Sequence, residues 1–300
     1  MTPRGPVVVA TDLTDASRPA LERGRAHAEA IGAPLLVCHV VVDVFRHHPL
    51  VPNPAENELT IESTVLSHAG AVVTSQVTSV LGTTAADVKV VVESGVPEEE
   101  IVRIAEENDA SLIVVGAQPR EGARLVLGHV AERVVRYAHG SVLVARDGAK
   151  PMRRILVATD FSEGSLPALG VAGDVARGTG AEVTLVHVVK PTSTFLSSAL
   201  MPLGDTWTPP SKAAMDQLDA LGRATLASLA SQYGFANAEQ LAGDPGDVIV
   251  DRAAELEADM IVMGSRGRRG LARLVLGSVA EKVIRQSRTS VLVARSTAGA

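Results

Sequence analysis

The stretch that decides the fold is MIVMGSRG at residues 260–267, followed after nine further residues by Gly277 and Ser278. Its first four residues form a short, continuously apolar run, which is typical of a buried parallel strand. Gly264 then predicts a turn, and residues 279–284 predict a helix. A strand, a glycine loop and a helix start in this order can bind an anion, because backbone N–H groups and the positive end of the helix dipole point at it.

The loop in this stretch carries several arginines, and a serine follows it. Guanidinium groups supply fixed positive charge for phosphate oxygens, and Ser278 adds a hydroxyl donor. The alternative interpretation is that the glycines of GSRG form only a turn and that the arginines are a solvated face, because short glycine patterns recur by chance. The arginines concerned are Arg266, Arg268, Arg269 and Arg273.

The composition limits the class of protein. Of the 300 residues, 46% are hydrophobic and 2% aromatic, which predicts about two domains with cores of Val, Leu, Ile and Ala. A net charge of -6 argues against a nucleic-acid partner, because DNA binding needs Lys and Arg at the phosphates. No apolar run has bilayer length and the N-terminus has no signal-like segment, so we expect a cytoplasmic protein without a membrane partner. Cys38, the single cysteine, is predicted to be a buried core thiol.

The chain repeats itself. VVVATD at residues 7–12 recurs as ILVATD at 155–160, 148 residues later. Towards the end of each copy the offset becomes 149, since SVLVAR occurs at both 141–146 and 290–295. The sequence therefore contains two copies of one domain, joined by a short polar linker that contains Gly and Pro.

Each copy, at residues 1–147 and 151–297, alternates short β-branched strands with helices. This predicts an α/β fold of two tandem doubly wound domains, each with a mainly parallel five-stranded sheet. In such sheets ligands bind beyond the carboxyl ends of the strands, so Asp160 and Gly264 should face one crevice. In the second copy the strands are predicted at residues 154–159, 182–188, 237–241, 259–263 and 290–294.

The assembled residues resemble the universal stress protein family in its tandem form. The resemblance covers nearly all of both copies and includes VATDFS at residues 157–162 and LVHV at 185–188. The ATP-binding subset of this family carries the pattern G-x2-G-x9-G-[S/T]. The chain meets this pattern with Gly264, Gly267, Gly277 and Ser278.

The resemblance implies a Rossmann-like fold of the adenine nucleotide alpha hydrolase type and an ATP-binding regulatory protein of the stress response, with little or slow hydrolysis and no catalytic residue. Asp160, with Ala158 and Thr159, would line the nucleoside end of the site. The backbone of Val188 would contact adenine, and Gly243 would border the ribose. Any Mg²⁺ would be held through the phosphates rather than by protein ligands. The phosphates would be wrapped by Met263, Gly264, Ser265, Arg266, Gly267, Arg268, Gly277, Ser278 and Val279.

The first copy departs from this pattern. Its loop begins with GAQPR at residues 116–120, which has no second glycine, and the loop is one residue shorter. Pro119 has no backbone N–H to offer, and His129 stands where the second copy has Ser278. We therefore expect a weak or absent nucleotide site here and a structural role for the first copy.

The last strand of each copy is predicted to lie at a sheet edge, and unpaired edges invite pairing. In the family this strand commonly joins two domains, so we expect an internal pseudo-dimer of the two copies, with a further homodimer left open. Two other functions also stay open, namely a slow ATPase and an interaction protein with a vestigial nucleotide site.

Two Pro-bearing connections, at residues 43–57 and 190–212, are predicted to be flaps over the crevices. Trp207 in the second flap would either stack on a bound base or pack in the ordinary way. His47 and His48 are adjacent on one loop without the spacing of a metal site, which favours exposed side chains over metal ligands.

Overall fold

A computed structural model of the chain describes residues 5–42, 56–82, 87–117, 127–148, 150–190, 211–265 and 276–296. The elements of the first half are β1 (Val7–Ala10), α1 (Arg18–Ile31), β2 (Leu35–Val42), α2 (Glu56–Leu81), β3 (Lys89–Gly95), α3 (Pro97–Glu107), β4 (Leu112–Gly116), α4 (His129–Tyr137) and β5 (Val142–Ala145). Those of the second half are β6 (Arg154–Ala158), α5 (Leu166–Thr179), β7 (Glu182–Val189), α6 (Lys212–Tyr233), β8 (Asn237–Ala242), α7 (Pro245–Glu255), β9 (Met260–Gly264), α8 (Ser278–Gln286) and β10 (Ser290–Ala294).

The strands form one continuous sheet in the order β3-β2-β1-β4-β5-β10-β9-β6-β7-β8. All neighbours within each half are parallel. The halves meet at β5 and β10, which are antiparallel with Leu143 opposite Leu292. The predicted doubly wound α/β fold is confirmed, and the two edge strands expected to pair do pair with each other, so the two five-stranded sheets are continuous.

Helices cover both faces of the sheet because successive strand residues point to opposite sides. Leu156, on one face, packs in the cluster that contains residues of α3, α4, α7 and α8. Val157, on the other face, packs with residues of α1, α2, α5 and α6. Each such buried aliphatic side chain contributes roughly 1.5 to 3 kcal/mol of transfer free energy.

Cys38 lies in this core with 0% of its surface exposed, which confirms the predicted buried thiol. Burial raises the pKa of the thiol to about 12, so it stays protonated and unreactive near neutral pH. No helix among the described residues has the length and apolarity that a membrane span requires.

The linker between the halves is held by an arginine of α1. Arg23 is only 2% exposed. Its Nε donates to the carbonyl of Asp147 at 3.1 Å, and its Nη1 donates to the carbonyl of Lys150 at 3.1 Å. Its Nη2 forms an ion pair with Oδ2 of Asp147 at 3.0 Å, and Oδ1 of that carboxylate accepts from the Ser290 hydroxyl at 2.7 Å. Asp147 therefore joins α1 of the first half to β10 of the second.

Gly170 lies inside α5 at a position where a larger residue is expected to stabilise the protein. A Cβ built at this position meets no atom within 4 Å, so Gly170→Ala should raise the free energy of unfolding by about 0.5 to 1 kcal/mol through helix propensity. Urea denaturation would measure the gain. Gly180 also has open space around it but caps α5 with φ of 73°, so Gly180→Ala should instead lower stability by about 1 kcal/mol.

Candidate functional site

The first strand of the second half, β6, ends in a turn that is closed by side-chain hydrogen bonds. The Thr159 hydroxyl lies 3.0 Å from that of Ser165 and accepts the Phe161 N–H at 3.1 Å. Oδ1 of Asp160 accepts from the N–H and the hydroxyl of Ser162, at 3.1 and 2.5 Å. These bonds hold Phe161 at φ of 63°, a conformation uncommon outside glycine. The turn thus fixes the Asp160 carboxylate at the carboxyl edge of the sheet.

Gly264 ends β9 beside this turn. A Cβ on Gly264 would lie 2.2 Å from the carbonyl oxygen of Gly164 and 2.9 Å from the Cα of Ser165. Only glycine therefore lets the turn after β6 approach β9 so closely. From the sequence, the glycine at position 264 was explained by the close approach of an anion to the backbone. The structure shows that close packing of the turn against β9 also requires glycine there, with or without a ligand.

Helix α8 is tied at its start to the end of β9. The N–H of Gly277, the N-cap residue, donates to the carbonyl of Ser265 at 2.8 Å, and the first helical bond runs from Glu281 N to Gly277 O at 2.9 Å. The N–H groups of Ser278, Val279 and Ala280 have no acceptor within the helix. Because the Gly277 N–H is occupied, these three donors and the positive end of the helix dipole are the groups at this helix start that could bind an anion.

The neighbouring strands supply the surface beside this site. Val188 of β7 lies opposite Leu241 of β8, and the N–H of Gly243 donates to Val189 O at 3.0 Å. Gly243 has φ of 148°, and a Cβ there would lie 2.6 Å from a methyl of Val248, so both its conformation and its packing require glycine.

His187 ties β7 to the turn after β6. Its Nδ1 lies 2.8 Å from the carbonyl oxygen of Thr159, and its ring centroid is 4.3 Å from that of Phe161. His39 makes the same 2.8 Å contact with Thr11 in the first half. The same contact in both halves indicates a packing role for both histidines.

Sequence reasoning missed a charged cluster next to Gly243. Oδ1 of Asp244 accepts from the N–H of Gly246 at 3.1 Å and from Nζ of Lys282, on α8, at 2.9 Å. Nζ of Lys282 is also 2.8 Å from Asp247, and Lys190 lies 4.0 Å from Asp244. The Lys282 hydrogen bond lowers the pKa of Asp244. An Asp directly before a Pro is a helix-start signal that would have located Asp244 as the N-cap of α7.

The structure brings the described candidates together at one edge of the sheet. Ala158 lies opposite Met263, and Gly264 lies opposite Ala294. Thr159 and Ser265 are buried, whereas Ser278 is exposed at the start of α8. The described candidates are Ala158, Thr159, Asp160, Val188, Gly243, Met263, Gly264, Ser265, Gly277, Ser278 and Val279. Predictions made for His47, His48, Pro119, Trp207, Arg266, Gly267, Arg268, Arg269 and Arg273 lie outside the described residues.

The first half repeats the turn but adds a side chain to it. The Thr11 hydroxyl donates to Oε1 of Gln76, from α2, at 2.6 Å, and Nε2 of Gln76 donates to the carbonyl of Thr14 at 3.3 Å. The buried residues Val73 and Val77 of α2 correspond to Leu226 and Ala230 of α6, so Leu229 stands where the first half has Gln76, and its side chain cannot make these bonds. Burial raises the pKa of Asp12, but hydrogen bonds from Thr14 outweigh it and leave that pKa lowered.

The comparisons with known proteins agree on one family. The model of the Universal stress protein family matches the chain twice, at residues 3–146 and 151–295. A universal stress protein of Methanocaldococcus jannaschii is 34% identical over 154 residues, which cover 51% of this chain and 87% of that protein. One of Mycobacterium tuberculosis is 28% identical over 318 residues, covering 97% of each. A solved universal stress protein from Archaeoglobus fulgidus shares the fold, with a TM-score of 0.68 and 22% identity over 97% of this chain and 98% of that one. The chain belongs to the universal stress protein family.

Proposed function

We propose that the chain is a regulatory protein of the stress response that binds ATP at its second half. The observation that carries the proposal is the start of α8, where three backbone N–H groups without helical acceptors are fixed beside the end of β9 by the 2.8 Å bond from Gly277 to Ser265. The resemblance in the G-x2-G-x9-G-S pattern supports a triphosphate as the anion. The surface between Asp160 and Gly243 would then hold the nucleoside.

Slow hydrolysis or none is part of this proposal. Activation of a hydroxyl needs a base within hydrogen-bond reach. Among the described residues, Thr159 and Ser165 are bonded to each other, and no histidine or carboxylate is hydrogen-bonded to Ser278. These contacts favour a protein that responds to ATP over one that turns it over. Multiple-turnover phosphate release by the purified chain would support the ATPase alternative instead.

Titration of the purified chain with ATP by calorimetry tests the proposal, and we expect one site per chain. Ser278→Asp should raise the Kd about tenfold or more, because a carboxylate at the helix start repels the phosphates and takes up the same N–H groups. The variant should fold, since an acidic residue in the first turn suits the helix dipole. Ser278 is exposed, so no core contact is lost.

His129→Asp is the matched control, because His129 is the first residue of α4 just as Ser278 is the first residue of α8. This variant should leave ATP affinity unchanged if the first half holds no nucleotide. Two sites per chain, with one lost in each variant, would show that both halves bind.

The second candidate is an interaction protein whose nucleotide site is vestigial. The packing around Gly264 favours it, because that glycine is required whether or not an anion binds. A folded wild-type chain that gives no heat with ATP would support this candidate.

A further inference from the structure

Helix α8 runs from the anion site to the junction between the two halves. Its first residue is Ser278, and Ile284 lies in its last turn, buried in the core cluster that also contains Val134 and Val135 of α4. With nine residues the helix is about 14 Å long. The carbonyl of Ile284 is among the last four of the helix, which find no partner inside it.

An arginine of the first half supplies that partner. Arg146 follows β5 directly, and its Nη2 donates to the carbonyl oxygen of Ile284. Its Nε and Nη1 are buried and form no hydrogen bond. Burial lowers the pKa of Arg146 to about 10, so the guanidinium is still a cation near neutral pH. A cation thus lies at the negative end of α8, where it stabilises the helix.

The second half has a matching arginine that contacts the other helix. Arg295 follows β10, and its Nη2 and Nη1 donate to the carbonyls of Val135 and Gly140 at 2.6 and 3.2 Å. Val135 lies in α4, whose first residue is His129. Arg146 of the first half therefore binds the carboxyl end of α8, a helix of the second half. Arg295 of the second half binds the carboxyl end of α4, a helix of the first half.

We propose that Arg146 is a positioning residue of the ATP site, so that the site in the second half is complete only when the first half is docked against it. This inference rests on the proposed ATP binding. Arg146 fixes the last turn of a short helix and adds positive charge on its axis, and both effects keep the N–H groups of Ser278, Val279 and Ala280 oriented for phosphate. The first half would thereby serve the site without contacting the nucleotide.

The test compares the ATP affinities of full-length variants by calorimetry. Arg146→Met should raise the Kd about threefold to tenfold, the range expected when a charge at a helix end is lost. Arg146→Lys should restore part of this loss, because an ammonium keeps the charge and can reach the same carbonyl. Arg295→Met removes an equivalent buried contact on α4, and it should leave the Kd unchanged.

The outcomes separate this inference from the proposed function. If the wild-type chain binds ATP and Arg146→Met binds it equally well, the inference fails and ATP binding stands. If Arg295→Met weakens binding as much as Arg146→Met, the arginines only hold the halves together, which also overturns it. If the folded wild-type chain binds no ATP, both proposals fail. Should Arg146→Met not fold, Arg146→Lys and Arg295→Lys take the place of the methionine variants. A Kd that rises in Arg146→Lys but not in Arg295→Lys supports the inference. A Kd of Arg146→Lys equal to that of the wild type overturns it.

Discussion

Replacing Gly264 with alanine is expected to lower the free energy of unfolding by about 3 kcal/mol or more. The new Cβ would lie 2.2 Å from the carbonyl oxygen of Gly164 and 2.9 Å from the Cα of Ser165, both of them backbone atoms. A backbone cannot give way as a flexible side chain does, so the turn after β6 must move away from β9. Urea denaturation followed by circular dichroism would measure the loss.

The first half provides the control at the equivalent position, Gly116. A Cβ there would lie 3.0 Å from the carbonyl oxygen of Ala16, a much smaller overlap. We expect Gly116→Ala to cost about 1 kcal/mol. Equal losses in the two variants would contradict the packing explanation.

This result also affects how ATP binding is tested. Loss of binding in Gly264→Ala would be ambiguous, because the displaced turn carries Asp160, which is predicted to line the nucleoside end. Ser278→Asp avoids the difficulty, since Ser278 is exposed.

The second large effect is expected at the linker. Asp147→Ala should lower the free energy of unfolding by about 3 kcal/mol, because it leaves the guanidinium of Arg23 buried without its carboxylate. The side chain of Arg23 is 1% exposed, whereas that of Asp147 is 33% exposed. Exposure of the acid places the estimate at the low end of the range for broken buried ion pairs. Urea denaturation again measures the effect.

A double-mutant cycle identifies the cause of that loss. Arg23→Met alone should cost less than Asp147→Ala, because water can solvate the remaining carboxylate. The double variant should be more stable than the sum of the two single losses predicts, since it leaves no unpaired buried charge. Strictly additive losses would show that the two side chains stabilise the protein independently.

The fold could be predicted from the sequence because its signals are local and repeated. Short apolar strands alternate with helical patterns twice along the chain, so each copy supports the assignment of the other. The location of the candidate site followed from the same reasoning, because parallel strands place all their carboxyl ends at one edge. The edge strands β5 and β10 were also predictable as partners, since both are short and apolar.

The residues that the sequence did not reveal act over long separations. Arg23 contacts the linker, and Arg146 contacts α8, each across more than a hundred positions of the chain. An arginine in a sequence is ordinarily exposed, and nothing local shows that it will be buried against another segment. Lys282 is similar, because its bond to Asp244 depends on how α7 and α8 pack. Gly264 was predicted to begin a turn, but the backbone neighbour that requires glycine there is visible only in three dimensions.

The antiparallel pairing of β5 with β10 has a consequence for how the protein responds to dilution. The two outer strands of the sheet carry acids bound by arginines, with Glu93 3.6 Å from Arg103 and Glu239 2.7 Å from Arg252. Such charges discourage edge-to-edge association, whereas the central strands β5 and β10 are buried throughout and, apart from Ser290, apolar. A half on its own would expose that apolar edge and would have to find a second molecule, so its pairing would weaken as concentration fell. Covalent tethering makes the encounter intramolecular, and the junction therefore persists however few copies of the chain are present.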